Sequence, residues 1–191
     1  MPNLADDTKP IIAHIDGGSR GNPGPAAYAV VVSTQNGSQL ASFSRYLGHA
    51  TNNVAEYQGL LAALDYALEH NYRRLKIITD SELLARQIDG KYQVKNPNLQ
   101  LLHQRAQKLI AQFHAFRIEH VRRGHNREAD RLANEAMDVA SKDQRPKQSP
   151  PAGSNPLRAT ATYHQGVLKL DGSVPLGEGE RVHLKIERCK E

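Results

Sequence analysis

The spacing of apolar residues changes period along this chain, and that change limits the folds open to it. Ile11-Ile12-Ala13-His14-Ile15 is a short apolar run ending at Asp16, which predicts a central strand. Gly17 to Pro25 is rich in glycine and proline and predicts a turn-rich loop. Tyr28 to Ser33 is β-branched, and Gln39 to Leu47 follows a turn at Asn36-Gly37, so a three-stranded antiparallel meander is expected. The period then switches. Val54, Tyr57, Leu61, Leu64 and Leu68 recur at helical spacing behind cap residues Thr51 to Asn53. Leu75 to Thr79 returns to strand character and ends at Asp80. Ser81 to Ile88 predicts a short helix. Asn96-Pro97 opens another that runs to about Gln112, with proline in its first turn. Ala115 to Val121 predicts a strand, and Asn126 caps a last helix through Ala140. The order β-β-β-α-β-α-α-β-α implies an α/β fold, a mixed sheet with helices on its faces.

Composition changes at Ser141. Pro146, Pro150, Pro151 and Pro156 stand among Lys, Gln and Ser, which predicts an extended linker over 141–156. The expected organisation is a polar N-terminal tail over 1–9, a body over 10–140, the linker, and a tail over 157–191. That tail predicts a small three-stranded β unit: Ala159 to His164, Val167 to Leu170, and the alternating run Val182 to Glu187. Pieces this short rarely fold alone, so it must dock on the body, dimerise or bind a partner.

The bulk numbers exclude several classes. The 191 residues include one cysteine, Cys189, which rules out an internal disulfide framework and a cysteine-based zinc site and points to the cytoplasm. The polar start is not expected to be a signal peptide, and no apolar stretch approaches the ~18 residues of a membrane span. The net charge is +5, which on its own fits an ordinary soluble surface. Up to Ala140 there are 16 basic and 14 acidic residues, and the remainder carries 9 and 6.

The acids are placed unusually. Asp16 and Asp80 each close an apolar strand, and ligands in α/β sheets gather at the carboxyl ends of strands. Glu56 falls in line with Leu60, Ala63 and Ala67 on a helical wheel, so it turns partly toward the core. Asp130 falls in line with Ala133 and Met137, at the edge of the stripe Ala129, Leu132 and Ala136. A charge half-facing a core is costly unless paired or metal-bound. Four acids without equally placed bases suggest a cation held by oxygen, hence Mg²⁺ or Mn²⁺. Two such ions can bridge a phosphodiester.

Four segments in this order resemble type 1 ribonuclease H: Asp16-Gly17-Gly18-Ser19-Arg20-Gly21-Asn22-Pro23-Gly24-Pro25, Thr51-Asn52-Asn53-Val54-Ala55-Glu56, Thr79-Asp80-Ser81, and Ala129-Asp130-Arg131-Leu132-Ala133-Asn134-Glu135-Ala136. The resemblance covers about residues 10–140. It implies a ribonuclease H-like five-stranded mixed sheet, three strands antiparallel and two parallel, with helices on both faces and the small C-terminal β unit appended. It implies an endonuclease that cuts the RNA strand of an RNA–DNA hybrid, leaving a 5′-phosphate and a 3′-hydroxyl with two Mg²⁺ ions, Mn²⁺ substituting. Asp16, Glu56, Asp80 and Asp130 then match the family's metal-binding acids, and Glu56 also lies near the 2′-OH that separates RNA from DNA. His125, in Gly124-His125-Asn126, matches a loop histidine that assists proton transfer or product release. Asn22, Thr51, Asn52 and Asn53 match positions holding the substrate backbone, although capping and turn formation explain them too. Gly17 and Gly18 allow close backbone approach to substrate. Glu82 stands where the family often has a glutamine that contacts RNA. The gap before Asn96 is too short for a basic helical protrusion, as in the compact subgroup, leaving Arg86, Lys91 and Lys95 to face the DNA strand.

Within the tail, Ala161 to Lys169 followed by Gly179-Glu180-Arg181-Val182 is similar to a small β-strand antitoxin family whose members self-associate. This implies an association module and a homodimer formed through it, with auxiliary nucleic-acid binding by its basic residues as the competing role. Two other readings stay open for the whole chain: a same-fold nuclease acting on double-stranded RNA or RNA–DNA junctions, and a hybrid-binding protein without turnover.

Overall fold

A computed structural model describes residues 9–122, 124, 126–143, 160–164 and 167–170. The chain divides into two compact units, Met1–Lys147 and Gln148–Glu191. In the first, β1 (Ile11–Ser19), β2 (Gly24–Thr34) and β3 (Gln39–Ala50) are followed by α1 (Asn52–Glu69), β4 (Arg74–Thr79), α2 (Glu82–Ile88), α3 (Pro97–Ile110), β5 (Ala115–His120) and α4 (Arg127–Asp143). In the second, β6 (Ala161–His164) pairs antiparallel with β7 (Val167–Leu170). The expected third strand of this unit, Val182 to Glu187, lies outside the described residues, as do residues 1–8 and most of the expected linker. No helix among the described residues is long and apolar enough to cross a membrane.

The sheet of the first unit runs β3-β2-β1-β4-β5. β1–β3 are antiparallel, and β4 is parallel to both β1 and β5. Alternation along the strands sends Ile11, Ala13 and Ile15 of β1, Val30 and Val32 of β2, and Leu75 and Ile77 of β4 into one core with α1, α2 and α3. α4 packs against β1, β2 and β3, where Ala129, Ala133 and Met137 are buried. Helices thus cover both faces, as expected of the fold.

Three local expectations are corrected. Asp16 does not end its strand, because β1 continues through Gly17, Gly18 and Ser19, which pair with Tyr28, Ala27 and Ala26. Glycine is a weak strand former, but its carbonyl and amide still fit a ladder when a partner strand is present. The loop shrinks to residues 20–23, closed by Arg20 N donating to Pro25 O at 2.8 Å. The buried line of α4 is Ala129, Ala133 and Met137, while Leu132 and Ala136 are only half-buried. α4 also runs three residues past the expected boundary at Ala140, since Pro146 is the first residue to forbid continuation.

One buried polar contact locks α1 to α2. Tyr57 Oη donates to Gln87 Oε1 at 2.9 Å, and both residues are buried. Burial pushes the Tyr57 phenol up to about 12. The folded state therefore holds this proton more tightly than the unfolded chain, whose phenol titrates near 10. Stability from this group is intact below pH 10 and falls as pH rises through 12. Tyr57→Phe is expected to cost about 1–2 kcal/mol at pH 7, because Gln87 Oε1 is left buried and unmet. The variant should also flatten the alkaline slope of stability, measured by urea unfolding between pH 9 and 11.5.

Candidate metal centre

The parallel pairing of β1 with β4 ends at Ile15 opposite Thr79. Asp16 and Asp80 are the next residues on these neighbouring strands, which lie about 4.8 Å apart in such a sheet. The third acid arrives from a helix. Thr51 caps α1, its Oγ1 accepting from Val54 N at 3.3 Å, and Glu56 follows one turn later. The start of α1 lies directly on β1. A Cβ on Gly17 would stand 2.2 Å from Glu56 N and 2.3 Å from Ala55 C. The glycine therefore sets how closely Glu56 approaches Asp16. The result is a cluster in which Asp16, Glu56 and Asp80 each offer a carboxylate oxygen within 4.8 Å of the others. Asp16 and Glu56 are each only 6% exposed.

Three carboxylates so close repel one another, and burial removes the water that would screen them. The donor set is all oxygen and anionic, which fits a hard divalent cation such as Mg²⁺ or Mn²⁺ and not a soft metal. Asp130 is not part of this cluster. It is half-buried in the first turn of α4, its amide donating to Asn126 O at 3.1 Å.

Around the acids, the polar residues read from the sequence separate into groups. Asn22 Oδ1 accepts from Asn52 N at 3.2 Å, so the β1–β2 turn is tied to the start of α1. Thr51, Asn52 and Asn53 are half-buried beside it. The capping roles weighed for Asn22 and Thr51 are thus realised. Gly18 faces α4, where a Cβ would meet Met137 Cε at 3.6 Å. Glu82 lies in the first turn of α2 and is engaged by Arg86, with N···O distances of 2.6 and 2.8 Å. Arg86 in turn sits 5.1 Å over the Tyr92 ring. Lys91 pairs with Asp89 at 2.9 Å, and Lys95 is exposed. His125 lies outside the described residues.

Two features were not anticipated from the sequence. One is the close approach at Gly17. The other is Asn126, which is 1% exposed and whose Nδ2 donates to Ile15 O at 2.7 Å across 111 residues of chain. Its sequence signals are the cap position at the start of α4 and its place one helical turn before Asp130, and neither points to Ile15. Nearby, a cavity of about 300 Å³ beneath the start of α4 is lined by His14, Val31, Ser33, Asn126 and Ala129 among others, and none of the three clustered acids lines it. Burial holds the His14 imidazole below its ordinary pKa; Asn126 opposes that shift and Lys76 adds to it.

Residues 14–136 match the family described as reverse transcriptase-like. The bifunctional protein Rv2228c of Mycobacterium tuberculosis is 44% identical over 153 residues, which cover 80% of this chain and 40% of that protein. The chain thus spans less than half the length of that relative. Ribonuclease HI of Halobacterium salinarum is 41% identical over 128 residues, 67% of this chain and 64% of that one. The solved N-terminal RNase H domain of Rv2228c aligns with a TM-score of 0.69 at 44% identity, covering 71% of this chain and 99% of the domain. LC11-RNase H1 in complex with an RNA/DNA hybrid aligns with a TM-score of 0.65 at 38% identity, covering 69% and 99%. By sheet order, helix placement and the extent of this match, the chain belongs to the ribonuclease H-like family.

Proposed function

We propose that this protein is an endoribonuclease that hydrolyses the RNA strand of RNA–DNA hybrids, leaving a 5′-phosphate and a 3′-hydroxyl. The observation that carries this reading is the convergence of Asp16, Glu56 and Asp80 from β1, α1 and the end of β4. These three acids would hold divalent metal, two Mg²⁺ ions or Mn²⁺ in their place, with Asp130 completing the set from α4. Such ions supply water activation and charge neutralisation at the scissile phosphate.

The chain's own residues then divide the remaining work. Glu56, at the base of the α1 N-terminus, accepts from the ribose 2′-OH and so selects RNA over DNA. Asn22, Thr51, Asn52 and Asn53 gather at the first turn of α1, where short polar side chains suit a backbone phosphate. Gly17 and Gly18 are assigned to close approach of the substrate backbone. Beyond Asp80 in the chain, exposed Lys91 and Lys95 provide charge toward the DNA strand, and Glu82 tunes contact with the RNA. His125 carries a proton to or from the leaving product. With the four assigned acids set aside, residues 1–140 keep 16 basic residues against 10 acidic ones, an excess suited to a polyanion. We assign residues 10–140 to this activity and residues 157–191 to self-association, forming a homodimer beyond the 141–156 linker, in a protein of the cytoplasm.

A labelled hybrid incubated with and without Mg²⁺, beside matched double-stranded RNA and single-stranded RNA, tests the reading. Cleavage of the hybrid alone, dependent on Mg²⁺ or Mn²⁺ and yielding 5′-phosphate ends, is the expected result. Equal cleavage of double-stranded RNA, or hybrid binding without any product, would overturn it.

A further inference from the structure

We propose that Asn126 is a positioning residue that sets where Asp130 stands relative to the clustered acids, and through it how tightly the site holds metal. The inference rests on the functional reading above, in which Asp130 completes the metal site.

α4 rests on the sheet through a narrow apolar line. Its buried line is Ala129, Ala133 and Met137. Two alanines and a flexible methionine on a sheet give burial without direction, so a helix seated this way can slide or rotate slightly at little cost. A hydrogen bond to a rigid acceptor is different, because it fixes distance and angle together. Asn126 makes that bond. Its Nδ2 donates to Ile15 O at 2.7 Å, in a buried setting. β1 is the central strand of the sheet, so this acceptor is as well fixed as any in the fold. Ile15 is also the residue immediately before Asp16. On the other side, the Asn126 carbonyl accepts from Asp130 N at 3.1 Å. A continuous chain of two hydrogen bonds therefore runs from the strand position next to Asp16, through Asn126, to the backbone of Asp130.

The cost of the arrangement supports a role beyond packing. Asn126 is 1% exposed, and its Oδ1 meets no backbone donor among the described residues, with the His14 ring close enough to hydrogen-bond to its side chain. A residue kept only to fill this space would do better apolar, since a buried amide costs desolvation that its hydrogen bonds only partly return.

The test compares Asn126→Ala, and Asn126→Leu, which keeps the volume and removes the donor, with the unaltered full chain. Two readouts are taken: Mn²⁺ affinity of the free protein by titration calorimetry, and kcat and KM on a labelled hybrid. Residues that support metal ligands in this way typically change affinity or activity about 10–100-fold when removed. The expected result is Mn²⁺ binding weakened about tenfold and kcat lowered by a comparable factor, with KM for the hybrid within threefold. Folded variants that bind Mn²⁺ and turn over like the unaltered chain would overturn the proposal. Loss of the fold in both variants would also overturn it, making Asn126 structural only. If the unaltered chain itself cleaves no hybrid, the functional reading fails, while the calorimetric comparison still decides the role of Asn126.

Discussion

Asp16→Asn is expected to abolish hybrid cleavage while raising the melting temperature of the metal-free protein. The two effects share one cause. Asp16 lies with Glu56 and Asp80 in a cluster spanning at most 4.8 Å, and it is buried. A pair of unit charges 4 Å apart repels by about 4 kcal/mol at an effective dielectric of 20. Asparagine keeps the shape and removes one of the charges. Relaxation absorbs part of the gain, so stabilisation of about 0.5–2 kcal/mol is expected, the usual range when a functional strain is relieved. For a protein of this size that is an increase of roughly 2–4 °C per kcal/mol in thermal unfolding with EDTA present. Activity should fall at least 10²–10³-fold, the range lost when one preorganised electrostatic group is removed. Added Mg²⁺ should stabilise the unaltered protein and leave the variant nearly unaffected. An Asp16→Asn protein that melts lower and cleaves at a normal rate would make Asp16 a purely structural residue of β1 and remove the metal centre from the fold.

The same cluster explains what could be read from the chain and what could not. Asp16 and Asp80 were legible because each follows a short apolar run; for Asp80 that run stops where β4 stops, whereas β1 continues to Ser19. Glu56 was legible because its wheel position agrees with Leu60, Ala63 and Ala67, all of which are buried. These are local signals, set by periods of two and 3.6 residues. Asp130 was half legible. Its wheel neighbours Ala133 and Met137 are indeed the buried ones, yet nothing local reveals that it stands outside the three-acid group.

What escaped the sequence reading depends on partners far away in the chain. β1 continues past Asp16 only because Ala26, Ala27 and Tyr28 are there to pair with Gly17–Ser19. Asn126 reads as a helix cap until Ile15 is placed beside it. Glu82 reads as a departure from a substrate-contacting glutamine, while its carboxylate is engaged by Arg86 one turn along. In each case the residue type is informative about what it can do, and the tertiary contact decides which of those things it does.

Gly17 and Gly18 give the sharpest case, because adjacent identical residues should behave in opposite ways. A Cβ on Gly17 falls 2.2 Å from Glu56 N, 2.3 Å from Ala55 C and 2.6 Å from Glu56 Cα. All three atoms are backbone, so no side chain can rotate aside. To reach ordinary contact near 3.5 Å, the start of α1 must move away from β1 by about 1 Å. α1 carries Leu60, Leu61 and Leu64 into the main core, so that movement opens packing along the helix. Gly17→Ala is therefore expected to cost about 3 kcal/mol or more in urea unfolding, at the upper end for overpacking. Activity should fall about 10²-fold, because Glu56 is displaced by the same 1 Å. A Cβ on Gly18 meets only Met137 Cε at 3.6 Å, the end of a flexible chain and an ordinary distance. Gly18→Ala should change stability by less than about 1 kcal/mol. If both glycines serve only to let substrate approach, the two variants will instead share unchanged stability and a raised KM. A Gly17→Ala protein as stable as the unaltered chain would thus separate α1 from the placement of Glu56, and the close helix–strand contact would no longer account for how the third acid joins the cluster.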